Sequence, residues 1–193
     1  TDSWQTLPAN SAVIANPVIH SKDDILYFAY ANQIASWDNS SFNINALILP
    51  DTIYAMTEYG NYLAIITFNN QSGHSQLYLW DRNTSLTTVT ENIDLGVLLP
   101  NSIQEYKDTL LVFSEDFPNF SNPIRSKIII QQYFNNSLRT LYNLEGSLGG
   151  FSSIYKYLDI VYIPMGLNVG DDRNWYGVFE LSQNQINSPY VLS

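Results

Sequence analysis

The stretch "EYGNYLAIITFNN" (Glu58 to Asn70) has two further counterparts in the chain, "EYKDTLLVFSEDF" (Glu105 to Phe117) and "KYLDIVYIPMGLN" (Lys156 to Asn168). Aligned on a polar turn residue, Asn61, Asp108 and Asp159 coincide, at spacings of 47 and 51 residues. Apolar alternation follows each turn, through Leu63 and Ile65, Leu110 and Val112, and Val161 and Ile163. An apolar residue stands five positions before each turn: Met56, Ile103 and Ile154. An earlier segment, "VIHSKDDILYFAY", fits the same template, with Asp24 in the turn, Leu26 and Phe28 after it and Ile19 before it. A hairpin that repeats in this way must fold as a series of supersecondary units, each too small to bury its own faces alone.

The second half of the unit repeats as well. "NQIASWDN" matches "SQLYLWDR", with Trp80 lying 43 residues after Trp37. In the third unit "SKIIIQQY" keeps the strand pattern without the Trp-Asp pair, and in the fourth "NWYGVFEL" offers Phe179-Glu180 in its place. The short extended pieces "NINALIL", "LTTVTENI", "LRTLYNL" and "SPYVL" close the units. Each unit thus reads as strand, tight polar turn, strand, longer loop, strand, turn, strand, with residues suited to tight reversals between them. No window holds a 3.6-residue apolar period over helical length, so the chain reads as all-β. Four strands per period of roughly 40–50 residues predict a β-propeller. A β-sandwich gives no reason for the hairpin to recur, and a solenoid repeats at shorter intervals of about 20–29 residues.

The expected organisation is one propeller-type domain over residues 1–193, with repeats at 17–52, 53–96, 97–146 and 147–193. Residues 1–16 are assigned to a strand of a preceding or closing blade. Four units either close as a small propeller or form an arc that other material completes. Thr1 follows neither a start Met nor a signal peptide, which reads as a processed product or a segment of something longer.

Composition agrees with strands: 45 % of residues are apolar, 14 are Tyr and only 13 % are charged. The net charge of −10 opposes binding to nucleic acid phosphate and to anionic membranes. No apolar run approaches the roughly 20 residues of a membrane helix. With no Cys, disulfides and thiolate metal sites are excluded.

The Trp37-Asp38 and Trp80-Asp81 pairs at two strand ends resemble the WD40 repeat. The chain departs from that family in its single Gly-His pair, Gly73-His74, which stands immediately before the strand that ends in Trp80 rather than well upstream. The blade style "YGNYLAIIT…SQLYLWDR" is similar to that of divergent propellers in tailed-phage structural proteins. That resemblance implies a structural component of a virion (tail or capsid-associated) or another extracellular, assembly-associated setting. Its partners would be other protein subunits or copies of itself.

The residues offer little catalytic chemistry. His20 and His74 stand alone, without the converging ligands or orienting acid that a metal site or triad requires. There is no Gly-rich phosphate loop, Gly-x-Ser-x-Gly elbow or His-Glu-x-x-His, and no cofactor is expected. The best local candidate for a cation is Asp171-Asp172 in "NVGDDRNW", because hard cations need several oxygens together. It lacks EF-hand spacing and reads first as a solvated loop, as do Asp23-Asp24 and Glu115-Asp116. Trp37 and Trp80 suit stacking on sugars or packing between blades. Phe117 and Phe120, in the Pro-containing insertion "EDFPNFSNPIRS", mark a shaped loop and a candidate contact surface. The leading expectation is a non-enzymatic structural or interaction module. A carbohydrate-binding propeller is the first alternative, and a glycoside hydrolase using two carboxylates about 5–10 Å apart is the second.

Overall fold

The computed structural model describes residues 18–81, 91–116, 127–148, 154–168, 174–182 and 185–192. Phe117, Phe120, Asp171, Asp172 and the segment 1–16 lie outside the described residues. The first sheet holds β1 (Val18–Lys22), β2 (Ile25–Tyr30), β3 (Gln33–Trp37) and β4 (Phe42–Ile48), in that spatial order. The second holds β5 (Thr52–Tyr59), β6 (Tyr62–Phe68), β7 (Ser75–Asp81) and β8 (Glu91–Gly96). The third is built from β9 (Leu99–Tyr106), β10 (Thr109–Asp116), β11 (Lys127–Phe134) and β12 (Ser137–Leu148). The fourth comprises β13 (Tyr155–Tyr157), β14 (Ile160–Asn168), β15 (Asn174–Ser182) and β16 (Gln185–Leu192). All pairings are antiparallel, and the end of β12 continues into the fourth sheet, where Gly146, Ser147 and Leu148 pair with β14.

The aligned polar residues fall in the turns between the first two strands of each sheet. Asp23-Asp24 and Lys107-Asp108 both have positive φ at each position, the geometry of a tight hairpin whose twist matches its strands. Gly60 supplies a positive φ (+55°) before Asn61, where a glycine carries no Cβ penalty. Leu158, before Asp159, holds φ 53° with its side chain 75 % exposed. A left-handed Leu is strained and here gains no packing in return, so Leu158→Gly is expected to stabilise the chain by about 0.5 kcal/mol after glycine's own entropy cost. A higher urea midpoint at unchanged slope would show it.

Sheets pack face to face in chain order. The first strands are neighbours, β5 lying beside both β1 and β9, and β13 beside β9. Three apolar cores fill the spaces between sheets, and strand alternation decides which residue serves which core. On β6, Leu63 and Ile65 point to the first sheet, while Ala64 and Ile66 point to the third. On β10, Leu110 and Val112 point back to the second sheet, while Leu111 and Phe113 point on to the fourth. Each interior blade therefore has a leading face toward the sheet before it and a trailing face toward the sheet after it. These second strands are buried on both faces, so they read as continuous apolar runs.

The residue five before each turn lies on the leading face: Met56 in the first core, Ile103 in the second and Ile154 in the third. The tyrosine two before the turn lies on the trailing face. Tyr59 meets Tyr133 of the third sheet edge-on at 6.1 Å between centroids. Tyr106 is 1 % exposed, and its hydroxyl donates to the Asp159 carbonyl of the fourth sheet at 3.1 Å.

Candidate functional site

Trp80 stands opposite Leu63 in the β6–β7 pairing, which puts it on a leading face. It is 5 % exposed and meets Tyr27 of the first sheet edge-on, with ring centroids 5.8 Å apart and planes at 83°. Trp37 stands opposite Leu26, the same register one sheet earlier, and is half-buried beside Phe42. The third sheet does not lose this aromatic. Tyr133 stands opposite Leu110, two residues further along than the sequence alignment of "SKIIIQQY" places the Trp equivalent. Gln131, which the alignment puts there, is buried and donates its Nε2 to the Leu95 carbonyl of the second sheet at 3.2 Å.

One cleft, of about 430 Å³, opens between the second and third sheets at the end carrying the first turns. Glu58, Tyr59, Tyr62, Glu105 and Asp108 line it. Glu58 and Glu105 stand three residues before Asn61 and Asp108, so the repeat itself brings two carboxylates to one rim. Lys156 is their counterpart in the fourth sheet, and its ammonium donates to the Glu105 carboxylate. Asp108 N–H also donates to Glu105 Oε1 at 3.3 Å.

A second cleft, of about 350 Å³, lies at the other end between the first and second sheets. Its lining includes Asn32, Asp51, Phe68, Asn69, Asn70 and Gln71. Asn69 donates its Nδ2 to Asp51 Oδ1 at 2.7 Å, while its own Oδ1 accepts the Gln71 and Ser72 N–H groups at 2.9 Å each. Asn32 ties the turn after β2 to the crossover by donating to the Leu49 carbonyl at 2.7 Å. Burial, with the Asp51 carboxylate nearby, pushes the Tyr78 hydroxyl above its ordinary range. The cleft thus gathers side-chain amides and one carboxylate beside Phe68, with Asn32 and Asn69 already engaged in hydrogen bonds within the chain.

The remaining singled-out residues serve local structure. Asp38, beside Trp37, accepts the Ser41 N–H at 2.7 Å and three further hydrogen bonds from Ser40 and Ser41, which hold its carboxyl far below the usual range. His74 Nδ1 lies 3.4 Å from Asp94 Oδ1 on the surface. Asp94 is held below its ordinary value first by the Gly96 N–H and then by His74. Glu115 differs from its solvated-loop expectation: β10 runs two residues beyond Ser114, and Glu115 is 8 % exposed within the sheet. Among the described residues no group of three or more His, Cys, Asp or Glu side chains suits a metal ion.

No protein-family model matches the chain, and no curated protein matches it. Solved structures do. The computationally designed Ika8 protein superposes with a TM-score of 0.50 at 12 % identity, over 90 % of this chain and 56 % of that one. A subtype N10 neuraminidase-like protein of A/little yellow-shouldered bat/Guatemala/060/2010 gives 0.52 at 17 % identity, over 84 % of this chain and 54 % of that one. A bifunctional GH43-CE protein of Bacteroides eggerthii gives 0.50 at 9 % identity, over 92 % of this chain and 26 % of that one. The chain thus spans little more than half the length of the first two. At these identities the likeness is one of fold: the chain is an all-β protein of four propeller-type sheets, which do not close into a ring among the described residues, an arrangement compatible with part of a propeller.

Proposed function

We propose that the chain is a non-enzymatic interaction module, an arc of propeller blades that works by joining a larger protein assembly. The observation that carries this reading is the state of the last trailing face. Tyr155 and Tyr157 are 63 % and 68 % exposed, although Tyr157 occupies the position at which Tyr106 is buried by the next blade. Ile160, Tyr162 and Pro164 on the same face are half-buried. Exposed contiguous apolar surface of this kind marks a contact site. The similarity of blade style to tailed-phage structural proteins supports a virion as the setting.

Hydroxyl-radical footprinting at nanomolar concentration tests the open arc. Tyr155 and Tyr157 are expected to react like fully exposed tyrosines while Tyr106 is protected. Protection of all three in a 22.0 kDa monomer would mean that the four blades close on themselves, and would remove the basis for an interaction role.

A carbohydrate-binding reading is favoured by a separate observation, the amide-lined cleft around Asp51, Asn69 and Phe68. A glycan array would test it, with binding expected to disappear in Asn69→Ala.

A further inference from the structure

Three blade-to-blade interfaces inside the chain obey one rule, and its two ends carry the unmatched halves of a fourth. At each interior interface the leading face of the later blade offers a large side chain opposite the residue two after the turn. Trp80 does so in the second blade, Tyr133 in the third and Leu181 in the fourth. The trailing face of the earlier blade receives it with residues three after or two before the turn. Tyr27 receives Trp80, and Tyr59 receives Tyr133.

The first blade has its own copy of the large side chain in Trp37, which shares the outward leading face with Leu26, Phe28 and Phe42. These are half-buried, whereas Leu63, Ile65, Leu110 and Val112, at the positions of Leu26 and Phe28, are fully buried by a preceding blade. The fourth blade has both kinds of receiving residue: Tyr162 at the position of Tyr27, and Tyr157 at the position of Tyr59. That these tyrosines face away from the third blade follows from the register. Tyr155 and Tyr157 stand opposite Tyr162 and Ile160, while Ile154, Val161 and Ile163 enter the third core. Lys156, between the two exposed tyrosines, bonds Glu105 on the third-blade side.

We propose that the occupant of this open face is a second copy of the chain, docked head to tail, with Trp37 of the second copy seated against Tyr162 and Tyr157. The proposal rests on the assembly role above and names its partner. It recreates the Tyr27–Trp80 contact between copies, with Tyr162 and Trp37 in the same two registers. It also gives the Tyr157 hydroxyl the acceptor that Tyr106 has in Asp159, namely the turn carbonyl of Asp24 in the second copy. A head-to-tail contact closes into a ring when its rotation allows. One arc spans 56 % of the designed chain and 54 % of the neuraminidase-like chain, so chains of this fold extend well beyond a single arc.

Light scattering across a micromolar dilution series, beside the nanomolar footprinting, tests this. The expected result is a species of twice 22.0 kDa, in which Tyr155 and Tyr157 become protected. Trp37→Ala and Tyr162→Ala, each confirmed as folded by circular dichroism, are each expected to weaken association roughly 30-fold or more, the scale of an aromatic anchor at an interface. A monomer at every concentration with both tyrosines still reactive would overturn the second copy and leave the open arc standing. Association unaffected by either substitution would overturn the head-to-tail contact. A monomer with both tyrosines protected would overturn this proposal and the assembly role together.

Discussion

Trp80→Ala is expected to destabilise the chain by about 3–5 kcal/mol, the range for removing a buried aromatic side chain and leaving a cavity. Trp80 is 5 % exposed, lies in the core between the first two blades and has its ring set against the edge of Tyr27. Trp37→Ala, measured at nanomolar concentration, is expected to cost about 1 kcal/mol, because Trp37 is half-buried on a face without a neighbouring blade among the described residues. Two tryptophans in the same sequence motif would thus differ several-fold in effect, for reasons of position alone. Urea unfolding followed by far-UV circular dichroism measures both. A double-mutant cycle of Tyr27→Leu with Trp80→Leu should show a coupling of about 0.5–1.5 kcal/mol from the ring contact. Equal losses for Trp80→Ala and Trp37→Ala would mean that the leading face of the first blade is as covered as that of the second.

Phe113→Ala is the second large effect, again about 3–5 kcal/mol. Phe113 is fully buried on the trailing face of the third blade, among Leu111, Ile128, Val161 and Ile163. The location of the loss is as informative as its size. Blades stacked in an arc stabilise only their neighbours, so damage to the third core should loosen the third and fourth blades first. Hydrogen exchange is expected to accelerate in β11 and β14 while the amides of β2 and β6 keep their protection. Uniform acceleration through all four blades would instead mean that the sheets unfold as one unit, as in a closed ring.

The hairpin template placed the four first turns by the Asp or Asn that ends each one, while the left-handed backbone a tight reversal needs comes from Asp23, Asp24, Gly60, Lys107, Asp108 and Leu158. Asp24, Asn61, Asp108 and Asp159 all stand in those turns. The two-faced burial of β6 and β10 was legible too, since Leu63 to Phe68 and Leu110 to Phe113 are unbroken apolar or small runs apart from Thr67. The aromatic of the third blade was not legible. Its loop between the second and third strands differs in length from that of the second blade, so aligning motifs letter by letter put Gln131 where Tyr133 stands. Register across strands is set by hydrogen bonding and packing, and linear spacing loses it at every loop. Glu115 was misjudged for a related reason: an acidic residue at a strand's end looks like a turn until its pairing partners, Leu99 and Ile128, are known.

The sequence by itself determined the repeat, the all-β class and the tight turns, all of which depend on contacts only a few residues apart. It also carried the alternation that gives each blade two apolar faces. Only the tertiary structure decided which face meets which neighbour, and so which aromatics are buried. Trp37 and Trp80 are equivalent in sequence yet half-buried and buried, and Tyr157 and Tyr106 are exposed and buried, because burial is a property of the adjacent blade and not of the residue.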